Sequence, residues 1–148
     1  MKTIEQMVKI IKNKYGVTNV DTAIVVGSGQ ADSVPELKNP IVIPYDKLGL
    51  PKSRVPGHSG KFVVGEYDGK TVMTVSRIHF YEYGDVSLVR KPFEIIKQLG
   101  VKLVILLTSS GGLNVNYNVG DIMLIEDHIN YSGVNPLVGI DNLKFLYH

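Results

Sequence analysis

The sequence predicts an α/β fold built on a mixed β-sheet flanked by helices, and three features carry that prediction. The apolar run Ala23-Ile24-Val25-Val26 stops at Gly27-Ser28-Gly29, as a buried strand entering a tight turn does. Phe62–Tyr67 and Lys70–Ser76 flank Asp68-Gly69, turn residues whose backbone preference matches the twist of two antiparallel strands. A helical pattern from Leu88 to Leu99 closes at Gly100 and leads straight into Val101–Leu107, apolar except for Lys102. A hairpin beside this βα alternation argues against an all-parallel sheet.

The elements follow in chain order. Ile4, Met7, Val8 and Ile11 recur at helical spacing with lysines between them, and Gly16 is the expected stop. Ala23–Val26 is the first strand. Residues 33–57 hold Pro35, Pro40, Pro44, Pro51 and Pro56, so they read as irregular connection with at most a short strand at Ile41–Ile43. The hairpin comes next, then the helix from Leu88, in which Pro92 must sit in the first turn or kink the chain. Val101–Leu107 reads as a central strand buried on both faces, and Asp121–Ile125 as a further strand.

Composition bounds the function. The 148 residues suit one domain spanning 1–148, and 44% hydrophobic with 20% charged residues is a globular balance without a sign of disorder. Sixteen Lys and Arg against fourteen Asp and Glu leave +2, too small a bias to point to nucleic acid or a membrane surface. The absence of cysteine excludes a disulfide frame and a thiolate metal site. Met1–Gln6 carries no apolar run of signal-peptide length, so a soluble cytoplasmic protein is expected.

Chemistry-bearing residues collect after three strands: Gly27-Ser28-Gly29, then Arg77-Ile78-His79-Phe80-Tyr81, then Thr108-Ser109-Ser110-Gly111-Gly112. In open α/β sheets ligands bind outside the carboxyl ends of strands, so these segments are expected to share one cleft. Glycines turn backbone N–H groups toward an anion, Ser28 adds a hydroxyl, and Arg77 offers a charged planar fork suited to phosphate. His79 and Tyr81 present donors and an aromatic face to a polar, ring-shaped substrate, and Ser109 and Ser110 add hydroxyls.

Each feature alone also has a plain structural reading. Gly27-Ser28-Gly29 is ordinary turn chemistry, and Gln30-Ala31-Asp32 after it breaks the dinucleotide fingerprint, which discounts Asp46 as a ribose partner. Arg77 alone reads more often as a surface or ion-paired arginine, His58 as a loop histidine, His79 as a half-buried strand histidine, and Tyr81 and Tyr83 as packing aromatics. Glu126-Asp127-His128 matches no metal-ligand spacing. Together the features point to an anion-binding cleft without naming a reaction.

Ordered motifs sharpen this. Val26-Gly27-Ser28-Gly29, Val55-Pro56-Gly57-His58-Ser59-Gly60 and Arg77-Ile78-His79-Phe80-Tyr81-Glu82 resemble the phosphate loop, histidine loop and arginine–histidine–tyrosine stretch of trimeric, low-molecular-mass purine nucleoside phosphorylases. Gly111-Gly112-Leu113-Asn114, followed by Val119–Ile125 and Asp127-His128-Ile129-Asn130, is the most specific block. The resemblance runs in family order from about residue 20 to about 140 and corresponds to the N-terminal half of such enzymes.

The resemblance implies a phosphorylase/hydrolase-like fold and a reaction in which purine nucleoside and phosphate give purine base and ribose 1-phosphate. It implies Ser28, His58, Arg77, His79 and Ser109 at phosphate, with Arg77 and His79 catalytic, and Tyr81, Ser110 and Gly111 at the nucleoside. It places Asn135-Pro136-Leu137 near a subunit interface, implies a homotrimer, and calls for no metal or organic cofactor, since inorganic phosphate is a substrate. Thr108-Ser109-Ser110 stands where the family usually has Asn-Ala-Ala, which leaves base preference open. The purine-binding glutamate and asparagine belong to the other half of such enzymes. A truncated chain is therefore also expected to suit a non-catalytic phosphate-binding remnant, or one part of a split enzyme completed by a second chain.

Overall fold

The computed structural model describes residues 2–27, 29–52, 54 and 60–140. The chain divides into two compact units, Met1–Gly111 and Gly112–His148. The first holds every helix and strand found among the described residues.

Helix α1 spans Ile4–Tyr15. Its start is a capping box: the Gln6 N–H donates to Thr3 Oγ1 (3.3 Å) and the Thr3 N–H to Gln6 Oε1 (3.0 Å). It ends at Gly16, as the sequence predicts, and buries Met7, Val8 and Ile11. Strand β1 (Thr22–Val26) lies at the parallel heart of a five-stranded sheet. The other strands are β2 (Lys38–Pro44), β3 (Lys61–Tyr67), β4 (Lys70–Ser76) and β5 (Leu103–Leu106), in the order β2-β3-β4-β1-β5. The β2–β3 and β3–β4 pairs are antiparallel, while β4, β1 and β5 run parallel, so the sheet is mixed as expected.

The hairpin forms at the predicted turn. Asp68 and Gly69 both take positive φ (48° and 71°), the two left-handed residues that a tight, twist-matched β-turn requires. Glycine adopts that region freely and aspartate tolerates it better than most side chains.

Three expectations are corrected. Part of the proline-rich stretch is regular: β2 runs seven residues through Pro40 and Pro44, and helix α2 (Tyr45–Leu48) follows directly. Proline is tolerated there because β2 is an edge strand, with its pairing to β3 broken between Lys38 and Ile41, where Pro40 falls. The run Val101–Leu107 yields the four-residue strand β5, paired on one side to β1 and exposed, rather than a central strand buried on both faces. Asp121–Ile125, in the second unit, is not a strand: Ile122 and Leu124 are fully exposed and the segment joins no ladder among the described residues.

Helix α3 is short (Phe80–Tyr83), and α4 spans Val86–Gln98 with Pro92 buried in its interior, past the first turn. The core joins α1 and α4 to one face of the sheet through Met7, Ile11, Ile95, Ile96 and Leu99 against Ala23, Val25, Met73 and Val75. Tyr45 of α2 enters this core, its ring edge-on to Phe62 (4.8 Å between centroids). Its hydroxyl donates to the Ser76 carbonyl at 2.5 Å, and burial raises its pKa above the ordinary phenol value, so the group stays protonated as a donor. Within the second unit the described residues 112–140 form short turns, closed for instance by the Tyr117 N–H on the Asn114 carbonyl (3.1 Å).

Candidate functional site

The register of the parallel strands decides where the chemistry gathers. Val26 of β1 pairs with Ser76 of β4, and Val25 pairs with Leu106 of β5. Gly27, Arg77 and Leu107 are therefore the next residues out of three adjacent strands, all leaving at the carboxyl end. The Leu107 N–H still bonds the Val25 carbonyl (2.9 Å), which carries the alignment one residue past β5. This is the edge at which parallel sheets bind ligands.

At the first of these ends, the bend after β1 is closed by Gln30. Its backbone N–H donates to the Gly27 carbonyl (3.3 Å), and its side-chain Oε1 accepts from the Gly27 N–H (2.9 Å). Gly29 completes the bend at φ 71°, a conformation glycine supplies without steric cost. The Gly27 N–H, one of the donors expected to face an anion, is thus held by the chain itself. Gln30 Nε2 reaches across to Ser109 Oγ at 3.0 Å, joining the bend to the segment that follows β5.

At the second end stands Arg77. It is half-buried, and that burial pushes its guanidinium below the ordinary arginine value. Arginine nonetheless stays charged, and a partly desolvated cation attracts an incoming anion more strongly than one bathed in water.

Two residues on, His79 is the N-cap of α3. Glu82 Oε1 lies 3.1 Å from His79 Nδ1 and also accepts from the His79 N–H at 3.1 Å. Glu82 Oε2 accepts from the Arg54 N–H at 2.7 Å. The Glu82 side chain is 1% exposed, so the carboxylate is buried and tied to two segments. A carboxylate only accepts, which makes Nδ1 the protonated nitrogen of the pair. Tyr81, 72% exposed, stacks its ring on His79 with centroids 5.0 Å apart and planes at 22°. Lys52 and Arg54 are tied to α3 twice more: Arg54 lies over the Tyr83 ring (4.8 Å), and the Tyr83 hydroxyl donates to the Lys52 carbonyl.

A model of the phosphorylase superfamily matches residues 21–147. The chain belongs to that superfamily. Relatives in the superfamily include purine nucleoside phosphorylase 1 of Geobacillus stearothermophilus, 38% identical over 92% of this chain and 50% of its own length. The mouse purine nucleoside phosphorylase is 39% identical over 83% of this chain and 44% of its own. A crystal structure of the Schistosoma mansoni enzyme in complex with acetate superposes with a TM-score of 0.70 at 31% identity, covering 80% of this chain and 44% of that one. The chain spans about half the length of the curated relatives it matches.

For this phosphorylase-superfamily chain, the sequence-predicted residues fall as follows. Arg77, His79, Ser109, Ser110 and Gly111 all lie just beyond the strand ends of the first unit, and Tyr81 reaches His79 by stacking. Ser28 and His58 lie outside the described residues. Sequence reasoning gave no role to Gln30 and Glu82. For Glu82 a signal was present, the three-residue spacing from a helix-capping position at His79. For Gln30 there was none, since its partner Ser109 is 79 residues away. Among the described residues no helix is long and apolar enough to cross a membrane, and no cluster of three His, Asp or Glu groups could hold a metal ion.

Proposed function

We propose that this chain forms the phosphate-and-ribose side of a purine nucleoside phosphorylase, which converts a purine nucleoside and inorganic phosphate into the free base and ribose 1-phosphate. The observation that carries the reading is the Val26–Ser76 and Val25–Leu106 register, which sets the glycine bend, Arg77 and the Ser109 segment side by side.

The chemistry follows from charge. Cleavage of the glycosidic bond leaves an oxocarbenium-like sugar, which a phosphate dianion beneath it both stabilises and attacks. The protein's share is positioning and a preorganised field, with no covalent step and no metal or organic cofactor required. Arg77 takes the phosphate by paired N–H bonds. His79, its Nδ1–H bonded to Glu82, hydrogen-bonds the phosphate through Nε2, and the proton that phosphate gives up on forming the bond to the sugar passes to the departing base. In this reading Tyr81, exposed and stacked on His79, covers the ribose, and Ser110 and Gly111 line the base. The motifs favour a homotrimer, and phosphate and nucleosides as substrates favour a cytoplasmic setting.

The test is phosphate-dependent release of hypoxanthine or guanine from inosine or guanosine by the purified chain, read by ultraviolet absorbance. Arg77→Ala is expected to weaken phosphate binding roughly ten- to a hundredfold, since a charge-assisted bond contributes about 1.5–3 kcal/mol. Phosphate-independent melting of the wild type, with no base released, would overturn the reading. Sedimentation velocity tests the trimer.

A further inference from the structure

We propose that Gln30 is a positioning residue of this phosphate site, one that presets the Ser109 hydroxyl as a hydrogen-bond donor toward the anion. The inference rests on the phosphate reading above and adds a residue that reading does not require.

The polarity of the Gln30 carboxamide is set by its surroundings. The Gly27 backbone offers only an N–H at that point, so the carboxamide oxygen must face it, as it does at 2.9 Å. The NH2 end therefore faces Ser109 Oγ, 3.0 Å away, and Oγ is the acceptor of that bond. A serine hydroxyl has one hydrogen and two lone pairs. With a lone pair engaged by Gln30 Nε2, the hydrogen is directed away from Gln30. Ser109 is exposed beyond the end of β5, so that hydrogen is available to an anion bound there.

A hydroxyl held this way acts as an oriented donor before the anion arrives, and an anion need not order it on binding. The same carboxamide locks the bend next to Arg77's strand, so one side chain sets two walls of the site. The fit is close. A Cβ on Gly27 would sit 2.8 Å from Gln30 Oε1, so glycine at 27 is what lets the carboxamide dock.

The experiment uses the full chain and inorganic phosphate, with affinity measured by calorimetry and the melting temperature recorded without phosphate. Gln30→Met removes both bonds, Ser109→Ala removes the hydroxyl, and the double variant closes a cycle. Each single variant is expected to weaken phosphate binding about tenfold, and the double variant no more than the weaker single, because both delete the same oriented donor. Gln30→Glu keeps an oxygen for Gly27 but has no donor, so the Ser109 hydrogen turns onto it. Its loss of affinity is expected to be larger than in a Ser109→Ala background, which isolates the added charge. Ser109→Thr, which retains the hydroxyl, is expected to bind phosphate like the wild type. Two results would overturn the inference: wild-type phosphate affinity in Gln30→Met whatever its melting temperature, or losses that simply multiply in the double variant. If the wild type binds no phosphate, it is the functional reading that fails; if it binds and Arg77→Ala weakens it while the Gln30 and Ser109 variants do not, that reading stands and this inference falls.

Discussion

β1 and β5 lie side by side, run parallel and are written in nearly the same alphabet: Thr-Ala-Ile-Val-Val against Leu-Val-Ile-Leu. Ala23 and Val25 are sealed in the core, while Leu103 and Leu106 are more than half exposed. Their own residues do not explain this. β1 has a strand on each side, β4 and β5, and helices α1 and α4 above it. β5 has β1 alone as a partner among the described residues. The pair shows that an apolar strand is buried by what packs on its faces and edges, a property found elsewhere in the chain.

Substitutions can break or sharpen that contrast. The largest effect is expected from Val25→Asp, which puts an unpaired carboxylate into the core at a cost of about 3–5 kcal/mol, a large part of a typical domain's stability. Circular dichroism should show the cooperative melt lost or far lowered; a wild-type melt would place β1 outside the core. Next comes hydrogen exchange. Amides of β1 should exchange on the order of a hundredfold more slowly than those of β5, because the edge opens locally while the centre needs a wider unfolding. Equal protection measured by mass spectrometry would erase the distinction. The smallest effect belongs to Leu106→Asp, expected to change stability by no more than about 0.5 kcal/mol in urea titration, as surface substitutions do.

The same contrast explains what could be read beforehand. α1 and the hairpin were legible because their signals are local: apolar spacing before Gly16, and the Asp68-Gly69 pair whose two positive φ angles the turn demands. The sequence of β2 predicts little more than loop because proline excludes a central strand, and nothing local reveals that Pro40 and Pro44 lie on an edge. Val101–Leu107 is less buried than its composition suggests, since an apolar run encodes a preference and not a neighbour. At the site, Arg77 and His79 were visible because they follow a strand directly. Gln30 has no such signal, because its part is defined by a bond to Ser109 far along the chain, and for Glu82 the spacing shows the bond to His79 but not the one to the distant Arg54 backbone.

The Tyr45 hydroxyl grips the carbonyl of Ser76, and Arg77 begins at the other side of that same peptide bond. The hydrophobic interior and the cationic fork are therefore a single planar link apart, and the link is anchored from the interior. Tyr45 is packed edge-on against Phe62, so the position of that link depends on how α2 and β3 fill the core. Removing that one phenolic oxygen, as in Tyr45→Phe, takes the interior's own hydrogen bond off the Ser76 carbonyl while leaving the ring in place, so a change made inside the core falls one peptide bond from Arg77.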